Sequence, residues 1–261
     1  MMSTFKSFFY LQDWQVISGF ILFYAAISLS IYWVCFFSGL KERLKSFHGV
    51  VAPYILVPMS IFALSSALLG VSVWDHFQNN AKAIGAEAQA IEAYITLVQS
   101  IPLEGKEALI DDAKVYARSA LNEEWEMIAM QRHAHQGTSI HLQKLIRDTV
   151  SLAIENKLPT FLQTAVLQAA QNINNARNAR LSMINDEPDT IRWLSIILLG
   201  VMVLVSVAMV HLDRPKPMLA TLAVSTASIC IVLSLVGLAV NPFSGMLMIS
   251  KAPLEQILID E

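Results

Sequence analysis

"ALLGVSVWDHFQNNAKAIGAEAQAI", residues 67–91, passes from a wholly apolar run into an amphipathic one with no proline between them. Up to Trp74 there is no charge and no polar stripe. From Phe77 onward, Ala81, Ile84, Ala88, Ile91, Ile95 and Val98 recur in alternating steps of three and four, which puts them on one face of an α-helix. A single long helix satisfies both halves: its first part lies in hydrocarbon, and its continuation leaves the membrane with one face turned to a core. The Ser100-Ile101-Pro102 break ends it.

The rest of the chain suits such a helix. Of its 261 residues, 55% are hydrophobic and only 15% charged, too apolar a balance for an ordinary soluble domain of this length. Four runs, residues 15–37, 54–74, 192–211 and 218–240, can each cross a hydrocarbon core of about 30 Å at about 1.5 Å per residue. Apart from their limits, none contains Asp, Glu, Lys, Arg or His. The first is too long for a signal peptide and lacks a small-residue cleavage site, so it is a retained span. The expected fold is an all-α membrane protein with four transmembrane helices and an extramembrane helical bundle inserted between the second and third. Residues 1–74 form the first transmembrane hairpin, 75–190 the bundle, 191–240 the second hairpin and 241–261 a C-terminal tail. A net charge of -3 with no basic block excludes nucleic acid as a partner. Cys35 and Cys230 both fall inside spans and cannot staple the region between them.

Within the insertion, a second helix is expected over residues 106–130, with Leu109, Ala113, Tyr116 and Ala120 on one face and Trp125 beyond. A third, capped by Thr138 or Ser139, runs through Leu142, Ile146, Thr149 and Ala153 to the Leu158-Pro159 stop. The fourth carries Leu162, Val166, Ala169, Ile173, Ala176, Arg180 and Ile184, and stops at Asp186-Glu187-Pro188. These stripes read as core packing, the alternative being a ligand or partner groove. Lys41, Arg43 and Lys45 in one short loop and Arg214 and Lys216 in another concentrate basic charge on one side, the cytoplasmic one. The bundle and both termini then face outward, with Trp14, Trp74 and Trp193 as an aromatic belt.

Candidate chemistry is sparse. His133, His135 and His141, beside Glu123, Glu124 and Glu126, are weak metal candidates; two of the three sit in an expected loop, and solvated histidines are the alternative. The chain lacks H-E-x-x-H, G-x-S-x-G and a phosphate-binding loop, so no catalytic residue and no cofactor is assigned and the protein is read as a non-enzyme. Spans without carboxylates or histidines at their centres argue against a proton-coupled or sodium-coupled pump. Thr221, Ser225 and Ser228 share a face of the last span: close helix packing is one reading, a hydroxyl-lined pore the other. Arg180 occupies a seam position where the pattern asks for an apolar residue, and a buried guanidinium needs a carboxylate. Glu124, next to Trp125, is the available acid, and a bidentate Glu124–Arg180 pair with Arg177 nearby reads as an internal clasp rather than an ion site.

Five stretches in fixed order, "FHGVVAPY", "VWDHFQNNAKAIGAEAQAI", "YARSALNEEW", "NARNARL" and "NPFSG", resemble the bestrophin-like domain family of four-span bacterial membrane proteins. The last is Asn241, Pro242, Phe243, Ser244 and Gly245. The resemblance implies a multi-pass protein of the bacterial inner membrane and comparison with true bestrophins, pentameric anion channels with an Asn-Pro-Phe motif after their fourth span. In animal bestrophins an acidic calcium-binding run follows; here Met246, Leu247, Met248 and Ile249 offer no hard oxygen ligands, so calcium sensing is not carried over. Bestrophins also hold the inserted domain in the cytosol, opposite to the side the basic loops favour. The expected function is a homo-oligomeric passive channel in the lipid bilayer. The alternative is a non-catalytic scaffold or accessory subunit whose bundle binds another envelope protein.

Overall fold

A computed structural model describes residues 8–39, 42–43, 51, 53–102, 104–131, 133–184 and 190–259. The regular elements among them are helical: α1 (Asp13–Phe37), α2 (Pro53–Ser100), α3 (Lys106–Ser119), a π-helical turn (Ala120–Glu124), α4 (Trp125–Gln131), α5 (Gln136–Glu155), α6 (Thr160–Ile184), α7 (Thr190–Val210), α8 (Pro215–Leu238) and α9 (Ala252–Ile259). Four of them, α1, α2, α7 and α8, are long and apolar enough to cross a membrane. Of the orienting basic loop, Lys41 and Lys45 lie outside the described residues, as do Asp186 and Glu187.

The chain divides into two compact units, one of Met1–Asp75 with Pro188–Asn241, the other of His76–Glu187 with Pro242–Glu261. The unbroken α2 contributes its first part to one and its remainder to the other.

In the first unit α8 packs on α1 and α7, and α1 also on α7. Tyr24 is fully buried and donates to the carbonyl of Ile197 at 3.0 Å. Its ring lies over Gly200, where a Cβ would come within 2.6 Å of the phenolic oxygen, so glycine lets the two helices approach. Trp193 is buried beside Phe9 and Phe20, their centroids 4.4 and 6.3 Å away. That corrects the belt expectation: Trp14 and Trp74 are exposed, whereas aromatic packing takes Trp193 inside.

The second unit closes around Ile84, Ile91, Tyr94 and Val98 of α2, with Leu109 and Tyr116 of α3, Leu145 of α5 and Val166 and Ile173 of α6. Tyr94 and Thr149 share a hydrogen bond at 2.6 Å inside it. The helix expected over residues 106–130 is interrupted by the π turn, whose extra residue rotates the following turns. His135, not Thr138 or Ser139, caps α5: its Nδ1 accepts from the Thr138 amide at 3.2 Å. An imidazole with an extended backbone takes the role normally held by a hydroxyl. Pro242–Glu261 belongs to this unit, with Leu254 and Ile257 of α9 buried.

Candidate functional site

The most highly charged buried point of the second unit lies where the seam of α6 meets α2, α3 and the π turn. Arg177 and Arg180, three residues apart on α6, follow Val166, Ala170 and Ile173 along its buried face. Glu87 reaches them from α2, between Ile84 and Ile91, and Glu124 from the last position of the π turn. Glu87, Glu124 and Arg180 are fully buried, and Arg177 nearly so.

Arg177 grips Glu124 with two bonds, Nη2 to Oε1 at 2.5 Å and Nε to Oε2 at 3.2 Å. Arg180 bridges both acids: its Nε and Nη2 donate to Glu87, and Nη2 also donates to Glu124 Oε2 at 2.6 Å. Tyr116 of α3 donates to Glu87 Oε1 at 2.5 Å, and the His135 amide donates to Glu124 Oε1 at 3.0 Å. The Ser139 hydroxyl of α5 accepts from Arg177 at 2.9 Å. All four carboxylate oxygens are engaged, and two acids face two guanidiniums, so the group is neutral as a whole.

Electrostatics follow from that geometry. Burial alone would push the Glu124 carboxyl up, but the hydrogen bond from Arg177 and the charges of both arginines hold it below the usual carboxylate range. Burial would lower Arg180, but Glu87 and Glu124 raise it above its ordinary value. Burial and the neighbouring Glu87 push the Tyr116 phenol well up. The shifts of Glu124, Arg180 and Tyr116 all lead away from neutrality, which is the opposite of what proton exchange at neutral pH asks of a side chain.

Arg180 and Glu124 thus meet, but the two-bond partner of Glu124 is Arg177, and that of Arg180 is Glu87. Sequence reasoning missed Glu87 and placed Tyr116 on the packed face of its helix without its bond to that acid. Trp125, next to Glu124, is buried, donates from Nε1 to the Phe243 carbonyl at 3.0 Å and packs edge-on against that ring at 5.3 Å. Lys251 Nζ lies 5.2 Å from the indole centroid. The NPFSG segment therefore does more than stop a helix. Asn241, Pro242 and Phe243 are buried, Ser244 and Gly245 exposed, Gly245 adopts φ 91°, and the Ile249 amide closes the turn on the Pro242 carbonyl at 2.9 Å.

Thr221 and Ser228 donate to carbonyls of their own helix, from Pro217 and Val224, each at 2.9 Å, and Ser225 is half-buried. Their neighbour Thr226 makes the interhelical contact instead, with Ser28 at 2.5 Å. His133 is exposed, His135 caps α5 with Glu123 at 3.3 Å, and His141 lies on α5. Among the described residues no group of three or more His, Cys, Asp or Glu is placed to hold a metal ion.

Solved structures share this architecture. A variant of a bacterial bestrophin homologue from Klebsiella pneumoniae superposes with a TM-score of 0.71 at 11% identity, covering 92% of this chain and 96% of that one. Two structures described as variants of a membrane protein give TM-scores of 0.69, at 13% and 12% identity, over 92% and 93% of this chain and 95% of theirs. At such identity the likeness is one of fold. No curated protein matches the sequence. The family model of the bestrophin-like domain matches residues 22–254. The chain belongs to the bestrophin-like domain family.

Proposed function

We propose that the chain assembles into a homo-oligomeric passive ion channel, with residues 75–190 outside the bilayer. The observation that carries this reading is the likeness, over 92% of the chain, to a bacterial bestrophin homologue. Passivity follows from spans without carboxylates or histidines at their centres, which gives no site for coupling to a proton or sodium gradient. Thr221, Ser225 and Ser228 are the candidate pore-facing hydroxyls. Glu124, Trp125, Arg177 and Arg180 act as the clasp of the extramembrane unit and take no part in permeation. Purified protein in liposomes should relax an imposed chloride or potassium gradient without any second ion, and should migrate in mild detergent as a multiple of its 28.9 kDa mass. A monomer that leaves both gradients intact would remove the proposal.

The second reading, a scaffold that binds another envelope protein, draws support from apolar side chains that the second unit turns outward. Met130 is 77% exposed and Phe161 70%, with Ile140 and Ile154 also exposed. Orientation rests on Arg43, Arg214 and Lys216, with Lys41 and Lys45 from the sequence, which favour cytoplasmic short loops and an outward-facing unit with both termini. In a background lacking Cys35 and Cys230, an impermeant maleimide on intact cells should label Gly137→Cys and spare Lys216→Cys. The opposite pattern inverts the topology.

A further inference from the structure

We propose that the groove between α1 and α8 seats one acyl chain of an anionic phospholipid, whose phosphate is met by Arg214 and Lys216. The groove has a volume of about 660 Å³, within the roughly 300–1,000 Å³ of small-ligand sites. Ser28 lies beside Thr226 and Phe20 beside Cys230, so the two helices run antiparallel. Leu29 and Leu219 therefore share the end at which α8 begins, and Ile17 and Leu238 the other.

The groove asks for hydrocarbon. Its walls hold no Asp, Glu, Lys, Arg or His, and three of its four polar side chains are turned to partners: Ser28 and Thr226 bond to each other at 2.5 Å, and the Cys230 thiol is directed at the Phe20 carbonyl. Along α1 it extends from Ile17 to Leu29, about 18 Å at 1.5 Å per residue. That is a little over half of a hydrocarbon core of about 30 Å, the depth of the chains of one leaflet.

The mouth asks for a negative headgroup. Arg214 and Lys216 are exposed at the start of α8, five and three residues before Leu219, so they stand about 5–8 Å beyond the groove end along the axis. Among the described residues no ion pair engages either, and even with Asp213 beside them the turn keeps one net positive charge. A phosphate is the group that satisfies both cations while its chain fills the apolar slot. The inference requires the bilayer but no conductance, so it stands or falls apart from the channel proposal.

The test is native mass spectrometry of the full-length protein, reconstituted in parallel into phosphatidylglycerol and phosphatidylcholine vesicles and then exchanged into lipid-free detergent. One phosphatidylglycerol should remain per chain. Arg214→Ala with Lys216→Ala should weaken its retention about thirty-fold, the combined effect of two cations at an anionic surface, and bring it to the phosphatidylcholine level. Ala227→Phe, which fills an exposed part of the groove, should abolish retention of both lipids. Neither variant alters a core residue. Unchanged retention in Ala227→Phe, or no loss of preference in the charge variant, would overturn the proposal. So would an altered oligomer mass in Ala227→Phe at constant lipid count, which would give the groove to a second copy of the chain.

Discussion

Replacing Arg180 by alanine tests the clasp most severely, because the structure shows what it would strand. Glu87 would keep only the Tyr116 hydroxyl at 2.5 Å, whereas Glu124 would keep both bonds from Arg177 and the His135 amide. The result is one uncompensated carboxylate in a fully buried site. Removing one partner of such a pair destabilises by about 3–5 kcal/mol, which corresponds to a fall of roughly 10 °C in melting temperature for a chain of this size. Circular-dichroism melts of the purified protein should show that fall at neutral pH. Arg180→Met with Glu87→Gln should recover more than half of it, since the pair then leaves no charge behind. In the native protein the Glu124 carboxyl is held down, so its stabilisation is complete above the ordinary glutamate range and is lost as pH falls through the lowered value. Melts of the native protein should therefore fall in temperature as the pH is taken below the ordinary glutamate range. A variant that melts with the native protein and loses ion flux would refute the clasp and assign Arg180 to a permeation path.

Trp125→Phe keeps the ring but loses the bond to the Phe243 carbonyl, so a loss of about 1 kcal/mol should appear as faster proteolytic removal of the segment after Asn241. Gly200→Ala drives a Cβ to 2.6 Å from the Tyr24 oxygen; a penalty of about 1–3 kcal/mol should appear in melts and be partly relieved by Tyr24→Phe. Lys144→Ala breaks the pairs with Asp112 and Asp148, but Lys144 is half-exposed, so the change should stay under about 1 kcal/mol and shrink in salt.

Spans and helices were legible because hydrophobic periodicity is a local signal. Residues 67–91 already pointed to the unbroken α2, and the proline and glycine stops fell near observed helix ends. The π turn left a trace that helix-period reasoning passes over: Leu109, Ala113, Tyr116 and Ala120 are spaced by three and four, but Trp125 follows after five. Glu87 was equally visible, three residues after Ile84 and four before Ile91. With Ala88 beside it the stripe looked complete without the acid, and an apolar pattern does not say which of two adjacent positions turns inward. The pairing of Arg177 with Glu124, 53 residues apart, and of Trp125 with Phe243, 118 apart, has no local signature and arises from tertiary packing. The hydroxyl stripe shows the same limit: Thr226, one position from the chosen face, is the residue that meets another helix.

The central claim, passive conduction, is met most directly by planar-bilayer recording of the purified oligomer under an asymmetric chloride gradient. A passive channel gives discrete current steps that need no proton or sodium gradient and reverse at the equilibrium potential of the permeant ion. Correctly inserted oligomer with no current at any voltage would contradict it and leave the scaffold reading in its place.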